Sequence, residues 1–365
     1  MLNWEYIEVW RFKMRKIIFI TVLLFVLSIG TFLMVKNDHL FQDIYIQESR
    51  EELPKLKTDQ SAKELQPFLE GDLFELMGES SDRLIDTLGK PIRKDVTPYG
   101  YTWWIYTDEQ TSYLQFGIAN NEIQTIFATG DEISSEPFKI GTDYKELQKE
   151  FSFDSNVTYQ SGVSFYSFLL NETDLKMNPL IKLSEDIFAQ LYFDTFTSEL
   201  SSIRILTGNI LLKQRLYEME YRGNLPEEES LSDEDWKKVD KGMEQQIVDL
   251  TNIYRHRHGL NSLAVDEQVS EVALIHSKDM YEENYFSHYS QDGSGLKERL
   301  EQKAVYYLSA GENIAAQHTD APAAIEGWLN SEGHRETLLN ETYTHLGVGV
   351  YRYYYTQNFL LKPSL

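Results

Sequence analysis

An uncharged run of 19 residues, 17–35, constrains this chain more than any other feature. At about 1.5 Å per residue, a helix of that length spans the roughly 30 Å hydrocarbon core of a bilayer. Four basic residues precede the run (Arg11, Lys13, Arg15 and Lys16) and acidic residues follow it. The positive-inside rule therefore predicts a single-pass anchor with residues 1–16 in the cytoplasm and the bulk of the chain outside the cell membrane.

A cleaved signal peptide is the alternative, and it would make the protein secreted. Signal peptides have an apolar core of about 7–15 residues and a cleavage site with small residues. Here the apolar run continues through Phe32, Leu33 and Met34, which favours an uncleaved anchor. Met14 directly precedes two basic residues, so the sequence leaves the start of the protein open between Met1 and Met14.

The composition narrows the function classes. The chain has 365 residues, which suggests two or three domains, and its 58 acidic and 34 basic residues give a net charge of −24. So much negative charge repels a phosphate backbone and argues against nucleic-acid binding. The absence of cysteine excludes disulfides, thiolate metal sites and cysteine nucleophiles.

A polar stalk at residues 36–70 leads into a domain at 71–215 that contains an internal repeat. Its two units, about 71–138 and 139–215, each read as a helix followed by antiparallel strands, because IGTDYKEL resembles MGESSDRL and SSIRILTG resembles IQTIFATG. Neither unit contains a histidine or paired carboxylates. We therefore expect a structural or interaction domain without catalysis.

One strand of the first unit is rich in aromatic residues. Trp103, Trp104 and Tyr106 offer a binding face, although alternating aromatic residues in a strand are more typical of a core. The core interpretation is favoured.

An acidic linker at 216–235 precedes the last predicted domain, 236–365. The periodicity there predicts helices at 236–258, 266–283 and 322–330 and a strand at 347–355. His276 lies on the buried face of the second helix and is expected to be a hydrogen-bonded core residue. The other histidines outside the polar clusters are expected on the surface, at a helix end (His256 and His258) or in loops (His318 and His345).

Three polar clusters in predicted turns carry the chemistry of this domain: YFSH at 285–288, GENI at 311–314 and GWLNSEGHR at 327–335. Their order, together with NIYRHRHG, GLNSLAVD and HLGVGVYR, resembles the bacterial branch of the CAP superfamily of cysteine-rich secretory, antigen 5 and pathogenesis-related 1 proteins. The resemblance implies an α-β-α sandwich with a three-stranded antiparallel sheet. The domain at 71–215 resembles the CAP-associated N-terminal domain, so the whole chain is expected to be α+β with a transmembrane helix.

The resemblance also implies a cleft built from two histidines and two acids. His288 corresponds to the first histidine, Glu312 to the first acid and His334 to the second histidine. Ser331 occupies the fourth position, where the eukaryotic pattern has Glu, and Glu332 is adjacent. The set of four is therefore incomplete or rearranged.

Three roles for this cleft stay open. The residues could form a structural hydrogen-bond network, they could bind a ligand, or His288, Glu312 and His334 could hold a divalent cation such as zinc and support hydrolysis. A serine hydrolase using Ser331 and His334 is disfavoured, because no G-x-S-x-G elbow is present. The favoured function is a non-enzymatic module at the cell envelope that binds a wall component, lipid or protein.

Overall fold

The computed structural model describes residues 73–363, apart from residues 132, 134 and 228. The predicted cytoplasmic segment 1–16, anchor 17–35 and stalk 36–70 lie outside the described residues. In the part that is described, no helix has the length and apolar character needed to cross a membrane. Helices and strands alternate along this part, which confirms the predicted α+β class.

The first half of the described chain is dominated by strands. After a 3-10 turn at Leu73–Leu76, its helices are α1 (Ser81–Leu88), α2 (Tyr144–Glu150), α3 (Glu172–Met177) and α4 (Gly208–Gln214). Its strands are β1 (Arg93–Val96), β2 (Thr102–Thr107), β3 (Ser112–Ala119), β4 (Glu122–Gly130), β5 (Asn156–Ser161), β6 (Ser164–Leu169), β7 (Leu180–Lys182), β8 (Ile187–Asp194), β9 (Glu199–Thr207) and β10 (Glu218–Arg222).

The two repeat units share one antiparallel sheet. Seven strands run in the order β1-β2-β3-β4-β9-β8-β7, and β10-β6-β5 form a separate small sheet. At the centre of the large sheet, Thr125 lies opposite Leu206 and Ala128 opposite Ile203. When IQTIFATG is aligned with SSIRILTG, Thr125 corresponds to Ile203 and Ala128 to Leu206, so each pair is the equivalent of the other. Strands β4 and β9 are therefore related by a local two-fold axis that passes between them.

Residues of the large sheet alternate between two apolar faces. Trp103 and Ile105 belong to the core on one face, and Trp104 and Tyr106 belong to the core on the other. Trp103, Trp104 and Tyr106 are all buried, so they form core rather than a binding surface. The period of two in strand side chains produces this division.

The second half of the described chain contains long helices around a smaller sheet. Its helices are α5 (Asp233–Arg257), α6 (Glu267–Glu282), α7 (Leu296–Gln302), α8 (Ala321–Leu329) and α9 (Glu332–Leu338). Its strands are β11 (Ala264–Val265), β12 (Ser309–Ala316), β13 (His345–Tyr351) and β14 (Tyr354–Leu361). The three predicted helices of this region are present, with ends that differ by at most three residues.

The sheet of this second half has the order β11-β13-β14-β12. Strands β13, β14 and β12 form the antiparallel core that the resemblance implies, and β11 adds a two-residue parallel edge. The single strand predicted at 347–355 is wrong, because the chain reverses at Arg352 and Tyr353. Both have positive φ, +46° and +67°, as a type I′ hairpin turn requires.

Two further expectations are corrected. The segment 311–314 lies in β12 and not in a turn. The predicted linker 216–235 contains β10, which pairs with β6. Within β10 Met219 alone is half-buried, so the strand lacks the alternation that would have marked it in the sequence.

Helices α5 and α8 of the second half cover one face of the seven-stranded sheet. A single apolar cluster joins them, including Trp103 from the sheet and Ile247 from α5. Helix α5 approaches β1 so closely that a Cβ atom at Gly242 would lie 2.8 Å from Cβ of Asp95. The sheet therefore supports the helices that carry the polar clusters of the second half.

Candidate functional site

His288 lies in the loop that follows helix α6, and a buried histidine of α6 holds this loop in place. His276 of α6 is fully buried, and its Nε2 lies 3.0 Å from the carbonyl oxygen of Ser287. Burial lowers the pKa of His276 to about 4, so the ring is neutral at physiological pH. The predicted core role of His276 agrees with this position, which holds the backbone next to His288.

Glu312 projects from β12 toward His288. Its Oε1 accepts a hydrogen bond of 3.0 Å from Nδ1 of His288, and its Oε2 accepts one of 2.6 Å from the guanidinium of Arg299. Burial by itself would raise the pKa of Glu312, but the hydrogen bond from His288 and the charge of Arg299 outweigh it and bring the pKa below the ordinary value. The carboxylate is therefore ionised, and it fixes the proton of His288 on Nδ1.

Arg299 of α7 is the member of this network that the sequence analysis missed. Its guanidinium also donates to the carbonyl oxygens of His288 and Ser294, at 3.0 and 3.1 Å. Leu296 and Leu300 mark the apolar side of α7, and Arg299 lies three residues after the first of them. That spacing places the arginine toward the interior and was the available signal.

His334 lies on α9, the helix that starts after Ser331. Nδ1 of His334 lies 2.8 Å from Oγ of Ser331, so this hydroxyl contacts the imidazole and makes no capping hydrogen bond to the helix. Burial, followed by the charges of His288 and His318, lowers the pKa of His334. Asn313 Nδ2 donates to the carbonyl oxygen of His334 at 3.0 Å and links α9 to β12.

The cleft residues do not form the three-ligand metal set considered from the sequence. Within the described residues, no group of three or more His, Cys, Asp or Glu side chains is arranged to hold a metal ion. Both carboxylate oxygens of Glu312 are already engaged by His288 and Arg299. Glu332 is exposed and lies outside this network. Ser331, the residue predicted for the fourth position, contacts His334 instead.

The first half of the chain also contacts the segment that carries Ser331. In the turn between β8 and β9, Thr195 donates to Oδ1 of Asn330 through its backbone N–H and its hydroxyl, at 2.8 and 2.7 Å. Asp194 pairs with Arg335 at 2.9 Å, and the Arg335 guanidinium lies 4.8 Å from the ring centre of Phe196. This turn therefore fixes both ends of the segment containing Ser331 and His334.

The remaining histidines occupy different environments. His256 and His258 are exposed at the end of α5, as expected. His318 and His345 are both half-buried, and His345 lies on strand β13, which corrects the expectation of exposed loop positions for the two residues. Burial lowers the pKa of His318. Its ring packs against Gly327, where a Cβ atom would lie 2.9 Å from Cε1 of the imidazole.

Two known protein families match this chain. Residues 77–217 match the family model described as CAP-associated N-terminal, and residues 248–361 match the cysteine-rich secretory protein family, CAP. An uncharacterized membrane protein of Bacillus subtilis, YlbC, is 46% identical over 290 residues, which cover 80% of this chain and 84% of that protein. The chain belongs to the CAP family. The resemblance inferred from the motifs is thereby confirmed.

Solved structures of other CAP proteins agree with this fold. An extracellular protein containing an SCP domain from Bacillus anthracis has a TM-score of 0.76 and 40% identity, covering 86% of this chain and all of that one. A cysteine-rich secretory protein from Staphylococcus aureus has a TM-score of 0.71 and 27% identity, covering 82% of this chain and 98% of that one. In each of these two bacterial proteins, one chain contains regions similar to both halves of this CAP protein.

Proposed function

We propose that this CAP protein is a binding module held at the outer face of the cell membrane, and that its cleft binds a ligand without cleaving it. The observation that carries this proposal is the engagement of Glu312. Its two oxygens accept hydrogen bonds from His288 and Arg299, so this ionised acid has the role of a positioning group. A general base must instead reach a proton of the substrate or of a water molecule.

The fourth position supports the same conclusion. A serine nucleophile requires a base that a third group orients, together with an oxyanion hole. His334 contacts Ser331 through Nδ1, and among the described residues no side chain hydrogen-bonds to the Nε2 atom of His334. Ser331 and His334 therefore form an isolated pair.

The location outside the membrane is part of the proposal. The charge pattern around residues 17–35 predicts an anchor with the C-terminal bulk outside. The Bacillus subtilis relative is named a membrane protein, and the Bacillus anthracis structure is titled an extracellular protein. Wall components, lipids and proteins are the ligand classes available at that surface.

A metal-dependent hydrolase is the second candidate, and one observation favours it. In the neutral form of His288, donation from Nδ1 to Glu312 leaves the lone pair on Nε2, which is the arrangement common in metal-binding histidines. In this version His288 and His334 would bind a cation such as zinc, and Glu312 would support His288 from outside. A zinc ion would supply a bound water of lowered pKa.

Zinc titration and a cleavage assay separate the two candidates. The full-length chain in detergent micelles is titrated with Zn²⁺ by calorimetry and then incubated with peptide and glycan libraries. We expect no cleavage with or without zinc. Cleavage that disappears in His334→Ala would overturn the binding proposal, whereas a folded wild type that takes up no zinc would eliminate the hydrolase.

A double variant and a matched control make the titration specific. Stoichiometric zinc uptake that is lost in His288→Ala/His334→Ala would locate the metal in the cleft. His256→Ala removes an exposed histidine at the end of α5 and is expected to leave uptake unchanged. Equal loss in the control would mean that the zinc binds elsewhere on the surface.

A further inference from the structure

A concave site separate from His288, Glu312 and His334 lies between the seven-stranded sheet domain and the CAP domain. Its cavity measures about 390 Å³, within the roughly 300–1,000 Å³ that small-molecule sites occupy. A neighbouring cavity of about 220 Å³ shares the wall residues Arg215, Gln317, His318 and Thr319 with it. Domain interfaces are a preferred location for ligand sites. None of the cleft residues His288, Glu312 or His334 lines either cavity.

The larger cavity combines aromatic rings with hydrogen-bonding side chains. Four half-buried aromatic residues line it: Tyr99, Trp236, Tyr353 and Tyr354. Trp236 packs edge-on against Tyr353, with ring centres 5.3 Å apart, which fixes the orientation of both rings. Gln317 and His318 add polar groups to the same wall. A sugar ring matches this mixture, because it presents an apolar C–H face and a rim of hydroxyl groups.

The charges of the cavity wall nearly balance, which is compatible with a neutral ligand. Lys213 already donates to the carbonyl oxygen of Tyr99 at 2.7 Å. Arg352 already pairs with Asp233 and donates to the hydroxyl of Tyr281 at 3.2 Å. Glu227 and Glu229 also line the cavity. Arg215 lines the cavity as well, so three cations face two acids and the formal charges of the wall nearly balance. A neutral ligand needs no counter-charge from such a wall.

His318 is the polar group best placed to bind such a ligand. It lies in the wall common to both cavities, and its ring rests on Gly327. Among the described residues, no hydrogen bond is made to either of its ring nitrogens, while its carbonyl oxygen accepts from Tyr355. A neutral imidazole both donates and accepts a hydrogen bond, as a sugar hydroxyl does.

We infer that this interdomain cavity is a second binding site, which takes a neutral saccharide of one or two rings stacked on Trp236 and hydrogen-bonded to His318. A free sugar and the end of a polysaccharide share this chemistry. The inference is independent of what the CAP cleft binds.

The test is a titration of the full-length chain in detergent micelles with two disaccharides, N,N′-diacetylchitobiose and cellobiose. Binding is measured by calorimetry and by tryptophan fluorescence. We expect saturable binding of at least one disaccharide with a change in tryptophan emission. Trp236→Ala and His318→Ala should each weaken it at least tenfold, while His256→Ala, an exposed histidine remote from the cavity, should not. Tighter binding of the matching tetrasaccharide would support a polymer as the source, and equal binding would support a free sugar.

A third variant, which blocks the cavity, keeps the inference testable if Trp236→Ala or His318→Ala fails to fold. Gln317 is exposed in the wall common to both cavities, so Gln317→Trp narrows the site without altering a buried residue. It should abolish binding and keep the circular dichroism of the wild type. No binding of either disaccharide at 10 mM would overturn the inference, as would unchanged affinity in Gln317→Trp. Preferential binding of oleate, an anionic lipid, would overturn it as well.

Discussion

Two buried glutamates of the CAP domain, one in the cleft and one at the interface with the seven-stranded sheet, differ in what surrounds them. Glu312 in the cleft contacts a guanidinium and an imidazole, and these contacts bring its pKa below the ordinary value. Glu326 on α8 is also buried, and there the effect of burial, which raises the pKa, outweighs the hydrogen bonds from three hydroxyl groups and the charge of Arg257, which lower it.

The hydroxyls around Glu326 come from both halves of the chain. Its Oε1 accepts a hydrogen bond of 3.0 Å from Ser201 and shorter ones from Ser202 and Tyr254. Ser201 and Ser202 belong to β9, whereas Tyr254 belongs to α5. The carboxyl group of Glu326 therefore ties two helices of the CAP domain to the sheet.

Burial by itself does not decide the direction in which the pKa of an acid shifts; the charges and hydrogen bonds around the acid also contribute. An ionised Glu312 can fix the tautomer of His288, whose side chain is 42% exposed and faces solvent. Glu326, whose pKa is raised by burial, connects structural elements through its hydrogen bonds. We therefore expect interface substitutions to act on stability and cleft substitutions to act on both stability and binding.

The largest effect is expected where the interface has its own ion pair. Arg204 of β9 lies 2.8 Å from Asp320, with both side chains buried. Arg204→Met leaves Asp320 buried without its cation, so the free energy of unfolding of the full-length chain should fall by about 3–5 kcal/mol in urea titrations. Arg83→Met, which breaks an exposed pair with Glu79, is the control and should cost about 0–1 kcal/mol.

A second variant tests whether the charge of Asp320 causes that loss. Arg204→Met/Asp320→Asn removes the charge but keeps a good N-cap for α8, since Asp320 accepts from the backbone of Ala323 at 3.1 Å. It should recover most of the stability. A double variant as unstable as Arg204→Met would mean that packing, rather than the unpaired charge, accounts for the effect.

A smaller loss is expected in the cleft. Glu312→Gln replaces two charge-assisted hydrogen bonds with neutral ones and should lower the free energy of unfolding by about 2–3 kcal/mol at pH 7. Because the pKa of Glu312 is lower in the folded state, the unfolded state binds more protons near the ordinary value of about 4.3, and the stabilisation is lost as pH falls through the folded pKa. The gap between variant and wild type should therefore narrow below pH 4.

Urea titrations from pH 3 to pH 7 measure this narrowing. Glu332→Gln, at an exposed acid on the same domain, should follow the wild type at every pH. A gap that is constant across the range would contradict an ionised, paired Glu312.

The sequence predicts local features of this site better than its long-range contacts. The positions of α5, α6 and α8 follow from periodicity, and the family motifs lead to His288, Glu312 and His334, which the structure places on a loop, a strand and a helix. The pairing of Arg299 with Glu312 joins residues from separate elements, so no local pattern encodes it. Likewise, Thr195 and Asn330 meet only because two domains pack together.

The same limit explains the corrected elements. The β-propensities of the residues in GVGVYRYYY predicted a single strand, because tyrosine and valine favour strands and arginine does not interrupt one. The hairpin requires positive φ at Arg352 and Tyr353, a conformation for which the usual signal is Asn-Gly. Tertiary pairing of β13 with β14 overrides the local preference here.

The smallest effect is expected at Glu326. Its pKa is higher in the folded state than in the unfolded one, so the folded state binds more protons above about pH 4.3 and stability falls as pH rises into that range. Glu326→Gln has the shape of the protonated acid and no charge to bury. It should cost less than about 1 kcal/mol at pH 4.5 and become more favourable relative to the wild type as pH rises.

Urea titrations at pH 4.5 and pH 8 measure how the stability of Glu326→Gln relative to the wild type changes with pH. We expect this relative stability to rise with pH, whereas that of Glu312→Gln should fall. The conservative change keeps an oxygen available to Ser201, Ser202 and Tyr254, so a large loss at both pH values would mean that the amide nitrogen clashes with the hydroxyls. A loss that grows from pH 4.5 to pH 8 would mean that Glu326 is ionised in the folded protein. In that case the two glutamates would not differ in kind, and the proposed division between a holding interface and a binding cleft would fail.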